Sequence, residues 1–312
     1  MKILLAIDGS EQSKVAIEGV ADRPYPPNSE VGIVSAYERT PLITSLEPMG
    51  VSQEFYAEAD NFALKAAEDA TENAAIILRQ KNAELTVTTV VVEGPAKSAI
   101  LEEAEAFGAD LIVVGSHGHG MIERFLLGSV SHAVALHATC SVEIVRGAKS
   151  GEKAWKILLA IDGSEQSEAA VEEIVHQPFP DGSHVRVISV VERPYLPLAY
   201  PGDGIDMNVY AEVEKSNLQR ANAAVEDTAC KLRVGRESNE LNITTDVLSG
   251  SPKEVILQEA EAFGADLIVV GSHGYGMVER FLLGSVSLAV ALHAKCSVEI
   301  VRSSKTQTHE SK

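Results

Sequence analysis

KILLAIDGSEQS stands at residues 2–13 and returns, letter for letter, at residues 156–167. Within it a short unbroken apolar run, residues 3–7, stops at Asp8-Gly9-Ser10. An apolar run of that length with turn residues behind it fits a strand buried on both faces of a parallel sheet. A second block repeats further on. Residues 103–146 and 259–302 are 44-residue stretches that differ only at His119/Tyr275, Ile122/Val278, His132/Leu288 and Thr139/Lys295. This period is far longer than the 20–50 residues of a solenoid repeat, and each copy has the size of an ordinary domain. Residues 14–102 and 168–258 have drifted much further apart. A recent duplication alone leaves that unevenness unexplained; a site held in the preserved blocks of each half explains it.

Outward from residues 2–13 the pattern alternates. Further strands are expected at residues 31–37, 85–92, 111–114 and 142–145. A helix over residues 13–21 carries Val15, Ala16, Gly19 and Val20 at helical spacing. A loop with Pro41, Pro48 and Gly50 leads to a long amphipathic helix over residues 53–81, its expected apolar stripe being Phe55, Ala59, Phe62, Ala66, Ala70 and Ile77. Pro95 suits the first turn of a helix running to about residue 107. Gly128-Ser129 opens another, to about residue 138, with Ser129 expected as its cap. Strands alternating with helices imply right-handed crossovers, a parallel sheet and helices on both faces. The expected fold is therefore α/β, two repeated doubly wound domains at residues 1–146 and 156–302. Residues 147–155 form a polar linker, and residues 303–312 a disordered tail. The second half carries two extra residues where QKNA (80–83) becomes VGRESN (234–239), in an expected helix-to-strand loop that tolerates length changes.

A length of 312 residues with 45% apolar content suffices for two domains with proper cores. The net charge of −19, shared almost evenly by the halves, repels phosphate backbones and argues against nucleic acid as the main partner. It does not forbid a small anion in a local pocket of N–H groups. No stretch approaches the 18 or more apolar residues of a membrane helix, so no membrane partner is expected. The five apolar residues before Asp8 are too few for a signal-peptide core. Three cysteines, Cys140 and Cys296 at equivalent positions and Cys230 unmatched, read as reduced thiols rather than a disulfide framework, with Cys140 a small buried residue. The expected location is cytoplasmic.

The preserved blocks carry the chemistry. In an open α/β sheet, ligands bind beyond the carboxyl ends of the strands. Asp8 follows the first strand and Gly115 the fourth; if those strands are neighbours, both face one crevice. Gly115 and Gly118 let backbone come close to a ligand. Free N–H groups where Gly128-Ser129 opens a helix attract phosphate oxygens, and Ser129 and Ser131 can add hydroxyl donors. A carboxylate opposite an anion site suits a ribose. Singly these signals are weak, since Asp-Gly-Ser is a common turn and a lone GxxG means little. Their order, strand then Asp, strand then G-x-x-G-x9-G-S then helix, occurs twice: at Gly115/Gly118/Gly128/Ser129 and at Gly271/Gly274/Gly284/Ser285. Together they point to a nucleotide.

Here the chain resembles the universal stress protein family, over nearly all of residues 2–146 and 156–302. The most specific element is VGSHG followed nine residues later by GSV, which matches the family's ATP-binding signature. The resemblance implies a five-stranded sheet in each half with order 3-2-1-4-5. It implies ATP as ligand, with room for Mg²⁺ bound through the phosphates, and one site per domain. Asp8 and Asp162 would hold the ribose, and backbone near Ala36 and Val190 would meet the adenine. Val114, Gly115, Gly118, Gly128, Ser129, Val130 and Ser131 would surround ribose and phosphates, as would Val270, Gly271, Gly274, Gly284, Ser285, Val286 and Ser287 in the second half. It also implies that the two domains pair as an internal pseudo-dimer, with a homodimer of chains conceivable and a regulatory protein partner unknown. Two departures are local: Ala6 and Ala160 stand where some ATP-binding members have proline, and Ser141 and Ser297 replace a proline before the last strand.

Other readings are weaker. Neither G-x-x-x-x-G-K-[ST] nor a G-x-G-x-x-G after the first strand is present. A metal pair at His117 and His119 lacks its second histidine in the other copy, where Tyr275 stands. Arg124 and Arg280 could reach phosphates or simply be solvated, Glu123 and Glu279 could orient water only if the loop folds inward, and His132 reads as a packing position. No catalytic residue and no metal ligand is assigned. Three functions remain open: a nucleotide-dependent regulator of stress response, a slow ATP hydrolase or phosphotransfer switch, and a structural pseudo-dimer that binds nothing, which the intact signature in both halves disfavours.

Overall fold

A computed structural model describes residues 1–39, 53–118, 127–147, 154–192, 207–235, 241–274 and 283–303. The chain divides into two compact units, Met1–Glu152 and Lys153–Lys312. The first unit runs β1 (Lys2–Ile7), α1 (Glu11–Asp22), β2 (Glu30–Tyr37), α2 (Gln53–Lys81), β3 (Thr86–Glu93), α3 (Ala96–Phe107), β4 (Leu111–Gly115), α4 (Ser129–His137) and β5 (Ser141–Val145). The second repeats it as β6 (Lys156–Ile161), α5 (Glu165–His176), β7 (His184–Val191), α6 (Met207–Val234), β8 (Asn242–Ser249), α7 (Pro252–Phe263), β9 (Leu267–Gly271), α8 (Ser285–His293) and β10 (Ser297–Val301). Strand order is β3-β2-β1-β4-β5 in the first unit, all parallel. In the second it is β8-β7-β6-β9-β10, again all parallel. The α/β fold and the order 3-2-1-4-5 are thus as expected.

Both faces of the central strands are covered, which is why residues 3–7 of β1 and 111–114 of β4 are apolar throughout, while β3 at the edge of the order is largely exposed. Ile3, Leu5, Ile7, Val31, Ile33, Leu111 and Val113 pack against α1 and α2. Their strand neighbours Leu4, Val34, Ile112 and Val114 point the other way and are as deeply buried, beneath α3 and α4. Gly32 belongs to that second face: a side chain there would press on Leu4 and Phe107.

Two helix faces differ from the expected ones. In α1 the buried residues are Ser13, Ala16, Ile17, Val20 and Ala21, and Val15 and Gly19 lie at the margin. The helix also starts earlier, at Glu11, because Ser10 caps it by accepting from the Ser13 N–H at 3.2 Å. In α2 the expected stripe holds at Ala70 and Ile77, which pack against the core, and fails at Phe55 and Phe62. Phe55 and Phe62 are 58% and 78% exposed, while Tyr56, Ala67, Thr71, Ala74, Ala75 and Leu78 are buried. Small side chains at 67, 74 and 75 let the helix lie close to the sheet, and two phenylalanines on that face would hold it away. Close packing of the whole helix outweighs the roughly 1.5–3 kcal/mol that burying each ring would contribute.

Helix α3 has Pro95 as its N-cap, one place before the first turn, whereas Pro252 sits inside the first turn of α7. The N-cap of α4 is Gly128, without a side-chain bond, and Ser129 is the first helical residue. Ser129 is therefore not the cap: Gly128 takes the extended backbone of that position. Cys140 and Cys296 are half-buried rather than buried, and Cys230 is exposed. The loop at Pro41, Pro48 and Gly50, most of the linker, most of the two-residue insertion, the tail beyond residue 303, and residues 119, 123, 124, 275, 279 and 280 lie outside the described residues. Among the described residues no helix is long and apolar enough to cross a membrane.

One histidine makes the second unit sensitive to acid. His184 on β7 is bonded to Thr244 Oγ1 at 2.9 Å, with its ring edge-on to Phe263 at 4.9 Å. Burial, and then the charges of Lys156 and Arg186, lower its pKa below the ordinary value. The unfolded chain therefore binds a proton that the folded chain resists, so this contribution to stability rises with pH and is lost as pH falls below about 6.5. Thermal melts at pH 7.5 and 5.5 are expected to show a smaller loss in His184→Gln than in the unsubstituted chain. An equal loss would show that His184 plays no part.

Candidate functional site

Adjacent register brings the two preserved blocks together. Ala6 of β1 pairs with Val114 of β4, so Asp8 and the loop beginning at Gly115 emerge side by side. Behind β1 the backbone turns sharply through Gly9, whose φ of 80° favours glycine. The turn holds the carboxylate: Asp8 Oδ1 accepts from the Ser10 N–H at 3.0 Å and from the Ser13 hydroxyl at 2.6 Å. In the second unit Gly163 has φ 79°, and Asp162 Oδ1 accepts from the Ser164 N–H at 2.9 Å.

Across from the carboxylate, the signature loop is fastened at its base. The Gly128 N–H donates to Ser116 O at 2.8 Å, and the Ser116 N–H donates to Val145 O at 3.1 Å. The second unit repeats both bonds, Gly284 to Ser272 at 2.8 Å and Ser272 to Val301 at 2.9 Å. The Ser131 hydroxyl donates to Gly115 O at 2.6 Å, as Ser287 does to Gly271 O at 2.6 Å. These hydroxyls therefore pin the helix start to the strand end rather than facing a ligand. The first-turn N–H groups of Ser129, Val130 and Ser131 have no acceptor within the helix and remain suited to an anion. Ser129, unlike Ser131, is exposed and keeps its hydroxyl available at the surface.

The glycines owe their place to the protein's own packing as much as to any ligand. A Cβ on Gly115 would come within 3.0–3.1 Å of Gln12 in the first turn of α1, and one on Gly271 within 2.7–2.9 Å of the backbone of Gln166 and Ser167. A Cβ on Gly118 or Gly274 would overlap Oδ2 of Asp8 or Asp162. A Cβ on Gly128 or Gly284 would come 3.1 Å from the Cα of His117 or His273. The glycines thus let α1, the carboxylate and the loop close round one crevice.

In the first unit that crevice is a cleft of about 300 Å³. It gathers Asp8, Ala36, Val114, Gly115, Gly118, Gly128, Ser129, Val130 and Ser131, all of the first-half candidates from the sequence. It also includes residues that sequence reasoning missed: Val34 on β2, Ala96 and Ile100 on α3, Ser13, and His117. One of these was findable: Val34 lies two residues before Ala36 and so shares its strand face. His117 Nε2 is 2.8 Å from Gln12 Nε2, and its Nδ1 is 3.0 Å from Ser116 Oγ. The second half keeps equivalents of these elements, with Val270 and Gly271 ending β9 and Ser285 opening α8. Val190 stands in β7 opposite Leu248, in the register place that Ala36 holds opposite Val92.

A doubly wound parallel sheet with a carboxylate and an open helix N-terminus at the ends of adjacent strands defines a class of α/β domain whose strand ends are the usual place for a ligand. The universal stress protein family model matches residues 1–146 and again residues 155–302, and the chain belongs to that family. A universal stress protein of Mycobacterium tuberculosis is 29% identical over 313 residues, covering 97% of each chain. One from Mycolicibacterium smegmatis is 28% identical over 304 residues, covering 96% of each. One from Bacillus subtilis is 35% identical over 150 residues, which is 46% of this chain and 98% of that one. Among solved structures, a universal stress protein from Archaeoglobus fulgidus shares the fold, with a TM-score of 0.61 and 21% identity across 98% of this chain and 97% of its own.

Proposed function

We propose that each half binds one adenine nucleotide, ATP, and that the bound nucleotide sets the protein's conformation or its affinity for a partner in a stress response. The observation that carries this reading is the meeting, in one cleft, of Asp8, the glycine loop and the open first turn of α4. The parts fit the ligand. The N–H groups of the first turn suit phosphate oxygens, the carboxylate suits ribose hydroxyls, and the slot between Val34, Ala36, Ala96 and Ile100 offers a flat base an apolar wall. Mg²⁺, where present, would be held by the phosphates and water. Asp8→Ala and Asp162→Ala are each expected to weaken ATP at their own site by the worth of a charge-assisted hydrogen bond, about 1.5–3 kcal/mol. Calorimetry on the full chain reads this directly. One site in the unsubstituted protein, indifferent to both changes, would overturn the reading.

Binding should exceed catalysis. Phosphoryl transfer needs charge neutralisation at the transferred group and a positioned nucleophile. Among the described residues the cleft lining contains one carboxylate, Asp8, and neither lysine nor arginine. Turnover with Mg²⁺ is expected far below the roughly 1–100 s⁻¹ of kinases. A rate inside that range, abolished in the Asp8→Ala/Asp162→Ala double variant, would make the protein an enzyme instead.

A further inference from the structure

We propose that the first unit holds a second small-molecule site, outside the nucleotide cleft, for a small amphipathic amine: an apolar or aromatic body with a hydroxyl at one end and an ammonium at the other. The ground is a cavity of about 660 Å³ between α1 and α2, at the carboxyl ends of β1 and β2. That volume is in the usual range for small-molecule pockets. The nucleotide cleft lies on the other face of the sheet, against α3. Successive residues of β2 divide between the two, as alternation along a strand requires: Val34 lines the cleft and Ser35 the cavity. The two meet only around the turn at Asp8 and at Ala36.

The lining indicates the chemistry of the occupant. Ala63, Ala66, Ala67, Ala70 and Ala74 of α2 form one wall, at spacings that place them on one helix face. Their methyl groups offer a flat or short apolar body contact without hydrogen bonds. At the floor stands Ser35, only 3% exposed. Among the described residues its hydroxyl has no hydrogen-bond partner. A buried hydroxyl left in that state is costly, and a polar atom on the occupant relieves the cost. At the mouth is the exposed Glu38, three residues further on, roughly 10 Å away at the rise of a strand. The described lining carries three carboxylates, Asp8, Glu38 and Asp69, and one cation, Lys14. Lys14 is held by Glu11 at 2.6 Å, on its own helix. The mouth is therefore acidic and suits an ammonium.

The second half does not repeat this arrangement. Where the first half lines its cavity with Lys14 and Ile77, the second has Glu168 and Lys231. Lys231 crosses from α6 to Glu168 on α5 at 2.6 Å and also meets Asp227 at 3.0 Å. Ala63, Ala66 and Ala74 become Asn217, Arg220 and Thr228. A bridge and larger polar side chains thus occupy the positions that are small and apolar in the first half, so the site is assigned to the first half alone.

Ligand-observed NMR titration of the full chain with tyramine tests the proposal. One saturable site is expected, about 2–12-fold tighter for tyramine than for phenethylamine, which lacks the hydroxyl. Ser35→Ala should bring the two amines to equal affinity. Hydroxyphenylpropionate, with the same ring and hydroxyl but a carboxylate, should bind more weakly than tyramine. Glu38→Gln should weaken tyramine by up to about fivefold. Lys14→Glu/Ile77→Lys, which installs the bridge of the second half, should abolish binding. Ser35→Ala gives an answer even if the bridged variant is unstable. Tyramine that does not saturate, equal affinity for the carboxylate analogue, a preference for tyramine that survives Ser35→Ala, or undiminished binding in a folded bridged variant would overturn the proposal. Each of these results leaves the nucleotide reading untouched, since that reading stands or falls on ATP titration.

Discussion

Arg23→Ala is expected to destabilise the first unit by about 3–5 kcal/mol, the cost of leaving one member of a buried ion pair alone. Arg23 follows the last turn of α1, and its guanidinium donates to Glu143 Oε2 on β5. The two residues are 1% and 6% exposed, and the guanidinium also lies over the Tyr25 ring at 5.9 Å. Removing the cation takes the charged partner from a carboxylate that the sheet keeps buried. For a unit of this size the loss corresponds to a fall in Tm of roughly 6–20 °C. Urea denaturation followed by circular dichroism measures it. The single tryptophan, Trp155, buried against Phe179 at 6.0 Å, reports the second unit in the same samples. Arg23→Met/Glu143→Leu should recover most of the loss, because a pair replaced by apolar groups leaves no orphan charge. A cost below about 1 kcal/mol for Arg23→Ala would place this pair with surface bridges in energy.

Gly118→Val is expected to reduce ATP affinity at the first site by about 100-fold, the scale of a contact group displaced by an ångström. The new Cβ would overlap Asp8 Oδ2. The carboxylate cannot simply swing aside, because Oδ1 is held by Ser10 and Ser13. Gly274→Val should act on the second site in the same way through Asp162. The cause is separable from a general effect on the loop. With Asp8 already replaced by alanine, Gly118→Val has less to collide with, so the two changes should be clearly non-additive in a double-mutant cycle. Undiminished affinity in Gly118→Val, or full additivity, would detach the loop from the carboxylate.

The parallel sheet was legible because the signals of its first and fourth strands are strong: apolar runs of five and four residues, closed by Asp-Gly-Ser and by Gly-Ser. The polar rim of the cleft was legible for the same reason, since it hangs on strand ends. What escaped were choices made by tertiary packing. Nothing local says that α2 buries Ala67, Ala74 and Ala75 in preference to Phe55 and Phe62, because both faces are periodic and only the sheet beneath selects one. The Ser131 hydroxyl looked like a ligand donor until its distance to Gly115 O showed it bonded at home. The Arg23–Glu143 pair joins residues 120 positions apart, beyond any window of sequence. In the second half the same places carry Gln177 and Glu299, both buried, so the arginine was not marked out by the repeat either.

The bond from Gly128 to Ser116, with its twin from Gly284 to Ser272, has an architectural consequence. It fastens the capping residue of the helix to the first residue beyond the fourth strand through main-chain atoms alone. The helix start keeps this anchor whatever side chain follows it, so the exposed Ser129 and Ser285 could be exchanged while the frame of the crevice stays in place.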